Sequence, residues 1–159
     1  MIATLLFKID EYEDNWEVNK DVPKDSIKGF HILLVEDNEL NMEIAEFVLQ
    51  NEGAVVTKAW NGQKAVDIFR KSRPGEFDVI LMDIMMPVMN GYEAAKMIRA
   101  LDRDDAKTVP IIAMTANAFT EDRLKSKESG MNEHIAKPID AKLLVKVISE
   151  FVENKEEDS

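Results

Sequence analysis

Five side chains in this 159-residue chain are of types that do chemistry together: Glu36, Asp37, Asp83, Thr115 and Lys137. Each directly follows, or closes, an apolar run. Glu36-Asp37 follow Phe30–Val35, Asp83 follows Phe77–Met82, Thr115 follows Val109–Met114, and Lys137 follows Glu133–Ala136. If the runs are neighbouring strands, three acids, one hydroxyl and one amine converge on one edge of a sheet. Clustered carboxylates repel unless a cation or proton intervenes. Oxygen ligands without Cys or His favour a hard cation, and Mg2+ suits a few carboxylates plus water and a phosphate oxygen. A Lys supplies a compact positive charge, and a Thr hydroxyl can donate a hydrogen bond. The set therefore reads as a magnesium-dependent phosphoryl site in which one carboxylate is the nucleophile, since Asp can form an aspartyl-phosphate.

Taken singly, each of these residues has a plainer reading. An isolated Asp is usually a cap or turn acid, a strand-end Thr is routine, and a Lys commonly pairs any nearby acid. Met82, Met85, Met86 and Met89 read as core filling and loop packing. Only the grouping carries the chemical argument.

The elements that must position the site alternate regularly. A continuous apolar run marks a strand buried on both faces at 30–35, and further strands are read at 54–59, 77–82 and 109–114, with a short fifth at 133–136. His31 falls inside the first and is expected to be buried. Asn38 is placed to cap a helix carrying Leu40, Ile44, Phe47 and Val48 at helical spacing, ended by Gly53. Asn61 is placed to cap a second helix with Ala65, Ile68 and Phe69 on one face. Further helices are expected over 91–101, 118–129 and 140–152, the last with a stripe of Leu143, Leu144, Val147, Ile148, Phe151 and Val152. Five strands alternating with five helices predict a flavodoxin-like, doubly wound parallel α/β sheet. The strand order is 2-1-3-4-5, helices cover both faces, and ligands sit at the carboxyl ends of the strands.

Composition narrows the function. Lys plus Arg is 20 against 31 Asp plus Glu, a net charge of −11. Of this, −3 falls in residues 1–29, −3 in 153–159 and −5 between. Such a balance disfavours nucleic acid, whose phosphates are held by Lys and Arg, and anionic membranes. No apolar run is long enough to span a bilayer. There is no Cys, and the only two His are His31 and His134. That fits a reducing cytoplasm and leaves thin material for zinc. Residues 1–28 read as an N-terminal extension with a short strand over 5–9 and a charged linker, 29–153 as the domain, and 154–159 as a solvated acidic tail.

Leu33-Leu-Val-Glu-Asp-Asn38, Leu81-Met-Asp-Ile-Met-Met-Pro-Val-Met-Asn-Gly91, Met114-Thr-Ala116 and Ala136-Lys-Pro138 together resemble the signature blocks of two-component response regulator receiver domains, over roughly residues 30–152. The resemblance implies that Asp83 is the phospho-acceptor and that Glu36 and Asp37 hold Mg2+, Asp37 directly and Glu36 through water. It implies that the Met85 backbone carbonyl completes the metal shell, that Thr115 is the switch hydroxyl and that Lys137 contacts the phosphoryl group. His134 stands where the family commonly has Tyr or Phe, whose rotamer reports the switch. The family pattern also raises a cis bond at Lys137–Pro138. The implied partners are a histidine kinase or histidine phosphotransfer domain docking near the start of the first helix. The implied output is a surface made by the 118–129 helix, the fifth strand and the last helix, which serves a homodimer or another partner. The blocks look like the receivers attached to hybrid histidine kinases, and a stand-alone receiver has the same pattern. The resemblance also implies a phospho-acceptor that promotes its own phosphorylation and dephosphorylation. A haloacid-dehalogenase-type phosphatase would need a second Asp where Met85 stands, and a flavodoxin would need a hydroxyl- and Gly-rich loop where Glu36-Asp37 stand. A non-phosphorylated pseudo-receiver would not need the acids or Lys137.

Overall fold

A computed structural model describes residues 26–115, 120–137 and 140–158. The expected strand over 5–9, most of the linker, Ala116 and the Lys137–Pro138 bond lie outside the described residues. The elements are β1 (His31–Val35), α1 (Glu39–Asn51), β2 (Val55–Ala59), α2 (Gly62–Lys71), β3 (Val79–Asp83), α3 (Gly91–Arg99), α4 (Asp104–Thr108), β4 (Ile111–Thr115), α5 (Thr120–Glu128), β5 (Glu133–Ala136) and α6 (Ala141–Asp158). The sheet order is β2-β1-β3-β4-β5, and every pairing is parallel. This is the 2-1-3-4-5 order of the flavodoxin-like fold.

Parallel strands covered on both sides need apolar residues at every position, and β3 and β4 are buried throughout. Alternation sorts their side chains into two cores. Leu33, Val35, Ile80, Met82, Ile111 and Ala113 face Ala65, Val66 and Phe69 of α2, Ala94, Ala95 and Ile98 of α3, and Ala106 of α4. Ile32, Leu34, Val79, Leu81, Ile112 and Met114 face Met42, Ala45 and Leu49 of α1 and Leu144, Val145 and Ile148 of α6. Each fully buried large apolar side chain contributes roughly 1.5–3 kcal/mol. Asn38 and Asn61 cap α1 and α2 by accepting from the backbone N–H of Asn41 and Lys64. Asn90 and Glu93 form a reciprocal capping box on α3.

Several expectations change. Helix α1 turns three of the four residues of its expected stripe outward, and only Val48 of them packs on the core. Leu40, Ile44 and Phe47 are 64%, 48% and 70% exposed, and the helix packs through Met42, Ala45 and Leu49 instead. Two apolar stripes run along α1, and the one through Met42, Ala45, Val48 and Leu49 meets the sheet. On α6, Leu143 likewise points outward while Leu144, Val145 and Ile148 are buried. His31 is exposed, because it opens β1 at the amino edge of the sheet. Ile27, assigned to the linker, is fully buried beside α1 and α6. Residues 154–158 continue α6 rather than forming a separate tail.

Strand β4 starts at Ile111, not at 109. Pro110 has no N–H for the ladder, although its carbonyl accepts from Ile80 N at 2.9 Å. Strand β3 starts at Val79, after Asp78 closes a reciprocal pair with His31: His31 N to Asp78 Oδ2 and Asp78 N to His31 O, both 2.8 Å. Helix α4 was not expected. Of the methionines, Met82 and Met86 are buried, whereas Met85 is 75% exposed.

Candidate functional site

One main-chain bond beyond, or at the end of, each strand fixes the site. Glu36 N donates to Ala59 O at 3.1 Å, Ile84 N to Met114 O at 3.2 Å, and Lys137 N to Thr115 O at 2.7 Å. The ladders thus carry on past the apolar runs, so the first polar residue after each run is held as rigidly as the strand. The loop after Glu36 is tied by Asn38 N donating to Glu36 Oε2 at 3.1 Å. That after Asp83 is tied by Gly91 N donating to Ile84 O at 2.9 Å.

The result is a compact charged cluster. Carboxylate oxygens of Glu36, Asp37 and Asp83 lie within 4.8 Å of one another, with Glu36 and Asp83 buried and Asp37 exposed. Lys137 Nζ donates to Glu36 Oε1 and to Asp83 Oδ1, both at 3.0 Å. Pairing of Lys137 with Glu36, 101 residues away, was not foreseen; only the strand order brings the two together. Three carboxylates against one ammonium leave two negative charges when all are ionised. Burial, with the nearby Glu36 charge, pushes the Asp83 carboxyl up to about 7, against the pull of Lys137. Burial opposes the charge on Lys137, but its bonds to Glu36 and Asp83 outweigh this and hold the ammonium above its ordinary value. A proton on Asp83 and a cation are alternative answers to the same repulsion. The donor set is all oxygen and open to solvent through Asp37, which fits a hard divalent ion.

The other expected residues surround this cluster. Thr115 ends β4 and is buried. His134 pairs with Ala113 and Ala136 with Thr115, so alternation puts Thr115 and His134 on one face of the sheet. The His134 side chain is nearly buried, with Nδ1 3.7 Å from Glu133 Oε1. It therefore sits one strand step back from the acids. The Met85 side chain points out beside the site. Trp60, 40% exposed, follows β2 directly and precedes the cap of α2.

A flavodoxin-like α/β domain carrying an acid trio and a bridging lysine at the carboxyl edge of its sheet defines a class of phosphoryl-handling proteins. The family model of the response regulator receiver domain matches residues 32–149. The chain belongs to that family, the receivers of two-component phosphorelays. It is 36% identical over 155 residues to Histidine kinase 1 of Arabidopsis thaliana, covering 77% of this chain and 13% of the relative. It is 34% identical to the polar-differentiation response regulator DivK of Brucella anthropi, covering 76% of this chain and 94% of the relative. The chain thus spans about an eighth of the kinase and nearly all of the stand-alone regulator. Among solved structures, the receiver domain of a Pseudomonas aeruginosa sensor histidine kinase, which holds a magnesium ion in its active-site cleft, matches with a TM-score of 0.71 at 39% identity. That match covers 79% of this chain and 98% of the other. The Ssk1 receiver of Saccharomyces cerevisiae, solved with the phosphotransfer protein Ypd1, matches with a TM-score of 0.70 at 32% identity, covering 80% and 92%. No helix of the described residues is long and apolar enough to cross a membrane.

Proposed function

We propose that this chain accepts a phosphoryl group from a phosphohistidine onto Asp83 and thereby changes what its surface binds. The observation that carries the reading is Lys137 bridging Glu36 and Asp83 at 3.0 Å inside the acid trio. Asp37, Asp83 and the Met85 carbonyl would hold Mg2+, with Glu36 acting through water; a receiver structure similar to this one holds magnesium in its cleft. Bound there, the metal supplies charge neutralisation for the phosphoryl oxygens. An Asp83 carboxylate oxygen attacks phosphorus in line. The P–N bond breaks with its electron pair on the imidazole, and an acyl phosphate forms on Asp83. Lys137 is already hydrogen-bonded at the attacking carboxylate and offsets the charge of roughly −2 that arrives.

Thr115 then turns toward the phosphoryl group. His134, on the same face of the sheet, carries the change to the surface of α5, β5 and α6, where a second copy or a partner domain binds. The donor docks on Leu40, Ile44 and Phe47, an outward apolar stripe that begins in the first turn after Asp37. The donor is a histidine kinase or phosphotransfer domain, and the setting is the cytoplasm. Residues 29–153, together with Ile27 and the rest of α6 to Asp158, form the folded receiver. It acts within a hybrid kinase or alone, as both kinds of relative are found.

Labelling with acetyl phosphate in Mg2+ is the direct test. The chain should label and Asp83→Asn should not; labelling of that variant would overturn the assignment. Phe47→Ala should slow transfer from a phosphohistidine donor about tenfold and leave acetyl phosphate labelling unchanged. Sedimentation with beryllofluoride and Mg2+ tests whether the switched form dimerises.

A further inference from the structure

We propose that Gly62, in the first turn of α2, is a positioning residue for the phosphoryl site, holding the loop between β3 and α3 by backbone contact. The proposal rests on the reading of Asp83 given above. Gly62 is buried and does not belong to the acid cluster. A Cβ built on it would lie 2.5 Å from the Met89 carbonyl oxygen and 3.0 and 3.1 Å from Met89 Cγ and Cβ. Only a hydrogen fits there, so the start of α2 and the loop meet main chain to main chain.

The loop has little freedom to yield. At its end, Gly91 N is bonded to Ile84 O, and a Cβ on Gly91 would overlap the Asp83 carbonyl oxygen. Between the two glycine contacts, Val88 has φ +71°, and Met89 N donates to Pro87 O at 2.8 Å. This is a γ-turn at positive φ, a rare conformation for a β-branched residue. It persists only where the surroundings over-determine it, and the Met89 main chain resting on Gly62 is such a restraint.

The other side of the contact is equally fixed. Asn61 caps α2 through Lys64 N, and Ala59, three residues before Gly62, accepts from Glu36 N. Gly62 therefore sets the distance between the Glu36 side of the pocket and the loop that follows Asp83. A methyl group at position 62 would drive Met89 back by about 0.5 Å or more. The loop would carry the Met85 carbonyl with it. Displacements near 1 Å in such sites can lower rates by roughly a hundredfold.

The test compares Gly62→Ala with Val66→Ala, a buried change on the same helix that makes no contact of this kind. Magnesium affinity by calorimetry and the acetyl phosphate labelling rate are measured on the full chain, well below both melting temperatures. Gly62→Ala should lose about tenfold or more in both quantities, while Val66→Ala lowers the melting temperature and keeps both within about twofold. Equal affinity and rate in Gly62→Ala would overturn the proposal. Absence of magnesium binding and labelling in the unsubstituted chain would overturn the functional reading itself. If Gly62→Ala does not fold, the unsubstituted protein decides. Its Gly62 and Gln63 amide resonances should shift on magnesium saturation together with Met89 and Gly91, and unmoved Gly62 and Gln63 signals would overturn the proposal.

Discussion

The two edges of the sheet treat charge in opposite ways. At the amino edge, Arg103 is bonded to both oxygens of Asp105 at 2.7 and 2.8 Å and to the carbonyls of Phe69 and Ser72 at 2.8 and 2.9 Å. Its guanidinium lies 4.7 Å from the Phe69 ring centroid. Asp105 also accepts from Gly75 N at 2.9 Å. Nearby, Arg99 bonds to Gly130 O, Ala106 O and Asn132 Oδ1. Charges there close helix ends: Arg103 is matched by Asp105, and Arg99 is met by carbonyl and amide oxygens. At the carboxyl edge, three acids crowd together, one lysine bonds two of them, and the balance fails. The bond to Arg103, aided by Gly75 N, holds the Asp105 carboxyl below the usual carboxylate range, whereas burial pushes Asp83 far above it. A satisfied carboxylate stabilises the fold; an unsatisfied one is available to a cation or a phosphoryl group.

The largest expected effect separates the edges completely. Asp83→Asn should abolish labelling by acetyl phosphate, a loss of more than about a hundredfold, and should raise the melting temperature of the metal-free protein at pH 8. A variant that loses labelling but gains no stability would show that the carboxyl edge is not strained by charge. Arg103→Ala should do the reverse. It uncaps the end of α2 and leaves Asp105 without its partner, so denaturant unfolding should report a loss of about 2–3 kcal/mol. Magnesium affinity should stay within about twofold.

The third prediction is a pH dependence with opposite signs at the two edges. Asp83 has a folded pKa raised to about 7. Its contribution is fully present below the unfolded value near 3.8 and is lost as pH rises through about 7. Asp105 has a depressed folded pKa, so its contribution is present above the unfolded value and is lost as pH falls through the folded one. Metal-free melting temperatures should therefore decline between about pH 5 and 8. Millimolar magnesium should remove the decline, since the ion substitutes for the proton. In Arg103→Ala the decline should persist; a flat metal-free profile would contradict the raised Asp83. The smallest effect concerns Met85, whose exposed thioether gives an attacking water no hydrogen bond to orient it. Met85→Asn should leave stability within about 0.5 kcal/mol and shorten the life of the phosphorylated form several-fold.

Much of the carboxyl edge could be read from the chain, because strand ends are marked by the first polar residue after an apolar run. Asn38 and Asn61 were equally readable as caps. The exposed stripe of α1 was not, since Leu40, Ile44 and Phe47 have the same spacing as a core face. Periodicity identifies a helix without saying which of two apolar stripes meets the sheet. Helix α4 is a five-residue turn, too short for a period to develop. The role of Gly62 was hidden for another reason: a missing side chain matters only when something lies where it would have been.

Trp60 gives the site a voice of its own. The ring stands partly in water, two residues before Gly62 and one after the strand whose last carbonyl holds Glu36. Metal or phosphoryl binding that moves the Met89 loop should alter the emission of this indole, and Trp16→Phe would leave it the single tryptophan in the chain. Occupancy of the pocket could then be followed in real time by fluorescence, without a label.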